Sequence, residues 1–256
     1  VKIFLYPLLR LYRSFVFRLT RGVADKYDDQ GLATSIVEGD LRLWKSWHES
    51  LCPFVERVFE DFSLGGTASP LTVLDFGGGG GRHGFAVTRS GRAQWFVVET
   101  PALATAASRT LSETGIEFFS SIQQVKNQAN QVDLVHVSSS LQYTSNPSEV
   151  LRELVGLNPK FLVFEKLVLT QKSSQIKMFQ YSLLGDNIPQ PSKDFKLWIS
   201  AVRYPLIAIP KSKFLEILGR DYEVVAHTLE PVQSHLPMFK GLGQHTFLVK
   251  RRVNER

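Results

Sequence analysis

From residue 71 onward, short apolar runs alternate with stretches in which apolar residues recur every three or four positions. The runs fall at 71–76, 93–99, 116–119, 132–140 and 160–169, and the stretches at 82–90, 101–115 and about 147–157 carry helical spacing. That rhythm predicts an α/β domain: a doubly wound, mostly parallel sheet with helices on both faces. Two later runs, "YEVVAHTLE" at 222–230 and "QHTFLVKR" at 244–251, predict the strands that close the sheet. Ligands of such sheets sit at the carboxyl ends of the strands, beside the point where strand order reverses. This gathers residues 77–81, Glu99 and residues 138–143 around one crevice.

Upstream the pattern changes. After Pro7, residues Leu8, Leu11, Tyr12, Phe15, Val16 and Leu19 recur at helical spacing with Arg10, Arg13 and Arg21 on another side, which predicts a cationic amphipathic helix over 1–24. No apolar run there approaches the roughly 20 residues that span a bilayer, so the expectation is either packing on the domain or peripheral contact with anionic head groups. "DDQGLATS", residues 28–35, reads as a polar loop, and residues 40–62 as a helix broken near Pro53. Trp44 and Trp47 in it read as packing residues rather than a ligand-stacking pair. Residues 25–70 thus form a helical cap, and residues 71–256 the main domain, with a substrate-side insertion at 170–213 whose polar, aromatic and basic residues suit either a lid or ordinary packed helices.

Charge alters this picture little. The net charge of +6 falls to +1 once Lys2, Arg10, Arg13, Arg18 and Arg21 are set aside, and no basic stripe marks the body of the domain. Nucleic acid is therefore not the expected partner. The single Cys52 allows no intramolecular disulfide and fits a reducing cytoplasm, and six scattered histidines form no zinc-like cluster, so no metal site is expected.

The chemistry concentrates at "TVLDFGGGGGRHGF", residues 72–85. A phosphate-binding loop of the G-x-x-x-x-G-K-[ST] kind is excluded, because no lysine or hydroxyl follows the glycines. Gly79, Gly81 and Gly84 do match G-x-G-x-x-G, but such a match inside a glycine run is nearly free. Asp75 weighs more: at about 4 Å and an effective dielectric near 20, an ionised carboxylate and a pyrophosphate charge repel by on the order of 4 kcal/mol. S-adenosylmethionine brings a sulfonium and an ammonium instead, and Asp75-x-Gly77-x-Gly79-x-Gly81 suits it. Glu99, 18 residues beyond Gly81 at the end of the second run, can accept both ribose hydroxyls of any nucleoside.

"VLDFGGGGG", "FVVE" and "VDLVHVSSSLQY" resemble, in order and spacing, the nucleoside-binding half of class I S-adenosylmethionine-dependent methyltransferases. With "WFVVETPAL", "SSSLQYTSNPSEVL", "FEKLVLT", "RYPL" and "HLPMFKGLGQHTFLVK", residues 25–250 are similar to a family of predicted methyltransferases often encoded with surface-polysaccharide biosynthesis genes. The resemblance implies a Rossmann-like sheet whose final strand runs antiparallel, with S-adenosylmethionine as cofactor. Asp75, Phe76, Gly77, Gly78, Gly79 and Gly81 would meet its methionyl end, Glu99 its ribose, and Ser138, Ser139 and Leu141 would line the methyl-donor pocket. Many relatives read the adenine with an acid after the third strand; "FFSSIQQ" has none, which leaves backbone groups, Ser120 or Ser121. The acceptor implied is a sugar hydroxyl of a glycan or of its lipid-linked precursor, met in the cytoplasm or at the inner membrane face.

Transfer to a hydroxyl needs alignment and a proton acceptor. By residue type His136, His235, His245, Tyr143 and Glu165 qualify. His235 and His245 lead because His136, inside a strand, reads as a satisfied core residue. Two other readings stay open: an NAD(P)-dependent oxidoreductase or epimerase, and a non-catalytic ligand-binding protein of the same fold.

Overall fold

The structure is a computed structural model that describes residues 30–46, 51–64, 69–183, 201–231 and 241–252. The expected cationic helix over 1–24, together with Trp47, Trp198 and His235, lies outside the described residues. The strands are β1 (Leu71–Phe76), β2 (Ala93–Val98), β3 (Glu117–Phe119), β4 (Leu134–Ser138), β5 (Phe161–Thr170), β6 (Ile176–Leu183), β7 (Ala201–Pro210), β8 (Tyr222–Pro231) and β9 (Leu242–Arg251). The helices are α1 (Gln30–Lys45), α2 (Pro53–Leu64), α3 (Phe85–Arg89), α4 (Pro101–Thr110), α5 (Ile122–Gln128), α6 (Pro147–Val155) and α7 (Lys211–Leu218).

Strands β3-β2-β1-β4-β5 run parallel in that order, β9 pairs antiparallel with β5, and β8 pairs antiparallel with β9. The result is a Rossmann-like, mostly parallel sheet, as the sequence pattern predicts, with β9 antiparallel to its neighbours, as the resemblance implies for the final strand. Each face carries its own core. One buries Leu32, Val55, Phe85, Trp95 and Leu103 under α1, α2, α3 and α4. The other buries Val125, Leu151, Leu154 and Phe214 under α5, α6 and α7. The strands are apolar on both faces because both are covered.

Local chemistry fixes the helix starts. Asn146 caps α6, its side chain accepting from the Glu149 N–H while its amide donates to the Glu149 carboxylate at 2.8 Å, and Pro147 opens the helix. Pro53 likewise opens α2, so the break expected near it is present. Residues 30–35, expected as loop, are the first turns of α1, because Leu32, Ala33, Ile36 and Val37 have core to fill. The insertion differs most from expectation: its described parts are β6 and β7, an antiparallel pair whose second strand meets the end of β5 at Leu169–Ile209. Tyr143 ties this pair to the main sheet, donating to the Gln180 amide oxygen at 2.8 Å, and its ring meets Tyr204 edge-on.

Strand order reverses between β1 and β4. There Ser140 donates to the Phe76 carbonyl at 2.6 Å, pinning the segment after β4 to the end of β1. Ser140→Ala should cost about 1 kcal/mol of stability, a typical net worth of one such bond, measurable as a lower urea midpoint at unchanged slope.

Candidate functional site

The five glycines divide by position into two kinds. Gly77, Gly79 and Gly81 have φ of 69°, 61° and 77°, the left-handed region that only glycine enters freely. The two between them are cradles. A Cβ on Gly78 would lie 2.3 Å from Asp75 Oδ2, and one on Gly80 would lie 2.3 Å from Asp40 Oδ2. No side chain fits at either place while a carboxylate lies against the loop.

Three acids from three elements therefore surround this turn. Glu99, just past β2, accepts the Gly79 N–H and the Thr100 N–H, each at 2.9 Å. Burial pushes its carboxyl upward, against those two bonds. Asp40, on α1, accepts the Gly80 N–H at 3.0 Å, and its Oδ1 is buried with no hydrogen-bond partner among the described residues. Burial raises it to about 6, opposed by Arg82 and the Gly80 N–H and aided by Glu99.

Asp75 is fully buried and both of its oxygens are engaged. Oδ1 is 2.8 Å from His136 Nδ1, and Oδ2 accepts from the Trp95 indole at 3.2 Å. The other imidazole nitrogen of His136 is 2.6 Å from Glu165 Oε1. Burial by itself would strip the proton from His136, but the two flanking carboxylates prevail and hold it at about 10. Burial would likewise neutralise Asp75 and Glu165, yet the charged His136 keeps both below the usual carboxylate range. His83, which follows the glycine loop, sits edge-on to His136 with ring centroids 5.2 Å apart. Burial and then the charge of His136 push it down to about 4.

The other candidates are distributed as follows. Ser138 ends β4 and Ser139 follows it, both half-buried, whereas the Leu141 side chain is fully buried in the second core, so only its backbone is available to a pocket. Phe76 is partly buried against the same core. Ser120 and Ser121 are occupied with Gln124, whose amide oxygen accepts from Ser120 and whose N–H is capped by Ser121. His245 is not gathered with Asp75: it stacks on Phe247 of the second core and is 2.8 Å from His227 on β8. Burial, His227 and Lys211 push it down to about 4. Trp44 packs edge-on against Phe85 beneath the Arg89 guanidinium, a packing role.

Sequence reasoning missed Asp40 and the pairing of His136. The signals were present. Asp40 continues the stripe of Ala33, Ile36 and Val37 at helical spacing, so an acid faces the core. His136 interrupts an apolar strand directly across from Asp75. Among the described residues no group of three His, Cys, Asp or Glu side chains could hold a metal ion, and no helix is long and apolar enough to cross a membrane.

No protein-family model matches the chain, and no curated protein does. Among solved structures it is similar to magnesium protoporphyrin IX methyltransferase (ChlM) from Synechocystis PCC 6803 with bound SAM, at 14% identity, covering 84% of each chain, with a TM-score of 0.46. It is also similar to the N-terminal domain of EvdMO1 with SAH bound, at 11% identity over 81% of this chain and 84% of that one, TM-score 0.48. A third is the [4+2]-cyclase SpnF, at 13% identity over 72% and 76%, TM-score 0.46.

The turn can hold a nucleoside-bearing ligand that has donors or positive charge where it meets these acids. A phosphate would have to displace Glu99 from the Gly79 N–H and Asp40 from the Gly80 N–H to use those two donors.

Proposed function

We propose that the protein is an S-adenosylmethionine-dependent methyltransferase that methylates a hydroxyl of a sugar or glycan precursor in the cytoplasm or at the inner membrane face. One observation carries the cofactor: the two glycine-loop N–H groups that a pyrophosphate would need already donate to Glu99 and Asp40. An ammonium and a sulfonium meet acids there as attraction, and a ribose brings hydroxyl donors to Glu99. Backbone of residues 77–81 would lie along the methionyl portion, with Ser138 and Ser139 beside the methyl group. Asp75 would act through the fold of the loop rather than by contact, since His136 and Trp95 occupy it. The cofactor supplies an electrophilic methyl group, and the chain aligns an acceptor with it. The sugar acceptor rests on the resemblance of residues 25–250 to methyltransferases encoded with polysaccharide genes.

Titration calorimetry with S-adenosylmethionine, S-adenosylhomocysteine and NAD tests this reading. The two sulfur compounds should bind and NAD should not. NAD binding alone would replace the proposal with an oxidoreductase, and binding of none of the three would leave a non-enzyme of this fold.

A further inference from the structure

Beneath the crevice runs a chain of side chains that donor binding does not use: Asp75, His136, Glu165 and Cys52. Asp75 and His136 face each other across β1 and β4, and Glu165 stands on β5 opposite Ser138, the last residue of β4. The chain thus crosses the sheet from beneath the glycine loop toward its carboxyl end. Exposure appears only at its far end, where the Glu165 side chain is 15% exposed and those of Asp75 and His136 are at 0%. We propose that Glu165 accepts the proton released by the methylated hydroxyl, with His136 and Asp75 as positioning residues that hold it and share its charge. This rests on the methyltransferase reading above.

The backbone is bent to present Glu165. A register shift between Phe164 and Leu167 interrupts the pairing of β5 with β9, and Lys166 inside it has φ of 51°. Ser139, whose N–H donates to the Glu165 carbonyl at 2.9 Å, has φ of 53°. Two residues with side chains in the left-handed region, one just past β4 and one on the neighbouring β5, are strain that persists only where the surroundings hold it. A bulge at such a place re-aims a side chain.

The charges suit the task. With His136 protonated between two carboxylates the trio carries one net negative charge, and a proton taken up at Glu165 makes it neutral. The other groups around it do not compete: His83 is neutral, Arg82 is exposed, and the Cys52 thiol, pushed up to about 11 by burial and then by Glu165, stays protonated and bonds to Glu165. As the acceptor oxygen forms its bond to carbon, the carbon–sulfur bond breaks and its electron pair returns to sulfur, giving a neutral thioether. The acceptor oxygen becomes positive and its proton strongly acidic, so a carboxylate with a low affinity for protons suffices. That proton passes to Glu165 and then to solvent.

The test is nitrogen NMR of histidine-labelled full-length chain with S-adenosylhomocysteine, in wild type, Glu165→Gln and Glu165→Asp. In wild type both ring nitrogens of His136 should stay protonated to about pH 9, and either substitution should lower its midpoint by about one pH unit or more. S-adenosylhomocysteine affinity should stay within about twofold, because Glu165 lies outside the donor cradle. In labelled methyl transfer to monosaccharides, Glu165→Gln should lower kcat about 10²- to 10⁴-fold with KM little changed. A neutral His136 at pH 7, a midpoint unmoved by both substitutions, or wild-type kcat in Glu165→Gln would overturn the proton chain while leaving the donor reading intact. A wild-type chain that binds no S-adenosylhomocysteine would remove the donor reading instead.

Discussion

Replacing His136 by leucine should cost about 3–5 kcal/mol, the usual penalty for removing one partner of a buried ion pair and leaving the other charged. Folded domains are stable by only about 5–15 kcal/mol, so urea melts at pH 6 should show a large fall in midpoint. The expected pH dependence identifies the cause. His136 is held at about 10, above its ordinary 6.5, so its pairing contributes fully below pH 6.5 and is lost as pH rises through 10. Asp75 and Glu165 are held low, so their contribution is present above the ordinary carboxylate range and is lost on acidification. The gap between wild type and variant should therefore be widest between about pH 5 and 6.5, where both conditions hold, and should narrow on either side. Adding Asp75→Asn to the leucine variant removes the fully buried one of the two stranded carboxylates, the other being 15% exposed, and should recover much of the loss. A loss that ignores pH and survives the double change would mean that His136 acts only as volume.

The alternation of apolar runs located β1, β2, β3, β4, β5 and β9 because each of those strands has buried side chains, and it located β8 although only Tyr222 of that strand's described side chains is buried. The glycine run and its flanking acids pointed to the crevice because turn chemistry is local. What stayed hidden depends on partners far apart in the chain. Asp75 looked like an acid offered to a ligand, but its side chain is satisfied by Trp95 and by His136, 61 residues away. The turns of α1 at 30–35 read as loop because glycine, threonine and serine outweighed Leu32 and Ala33, whose burial is supplied by α2 and α4. In the insertion, Lys177 and Arg203 masked the period-two pattern of β6 and β7, since Phe179 on the outer face is 56% exposed and stacks with Arg203. His245 was chosen by residue type, and only the pairing of β8 with β9 shows that its nitrogen faces His227.

Asp40→Asn should make the empty protein more stable and the liganded one weaker. Asp40 is 1% exposed and raised from 3.8 to about 6, so the native state holds its proton more tightly than the unfolded chain does. Stability is therefore lost as pH rises from about 4 to 6, by roughly 2–3 kcal/mol for a shift of that size, and stays lost above it. Asparagine keeps an oxygen for the Gly80 N–H without the charge, so the variant should gain about 1–3 kcal/mol at pH 8 and nothing at pH 4. At an effective dielectric near 20, a positive ligand group near that carboxylate gains on the order of 2 kcal/mol, so S-adenosylmethionine should bind about 30-fold more weakly to the variant at pH 8. 5′-Methylthioadenosine, which lacks both the sulfonium and the ammonium, should lose little. Thermal melts and calorimetry on one pair of proteins read both effects. A variant that gained stability and bound both compounds as wild type would show that Asp40 serves the glycine turn alone. Equal losses for the two compounds would place it against the nucleoside. Only the expected pattern, stability gained and the cationic ligand selectively weakened, makes the third acid at the loop a recognition element for positive charge.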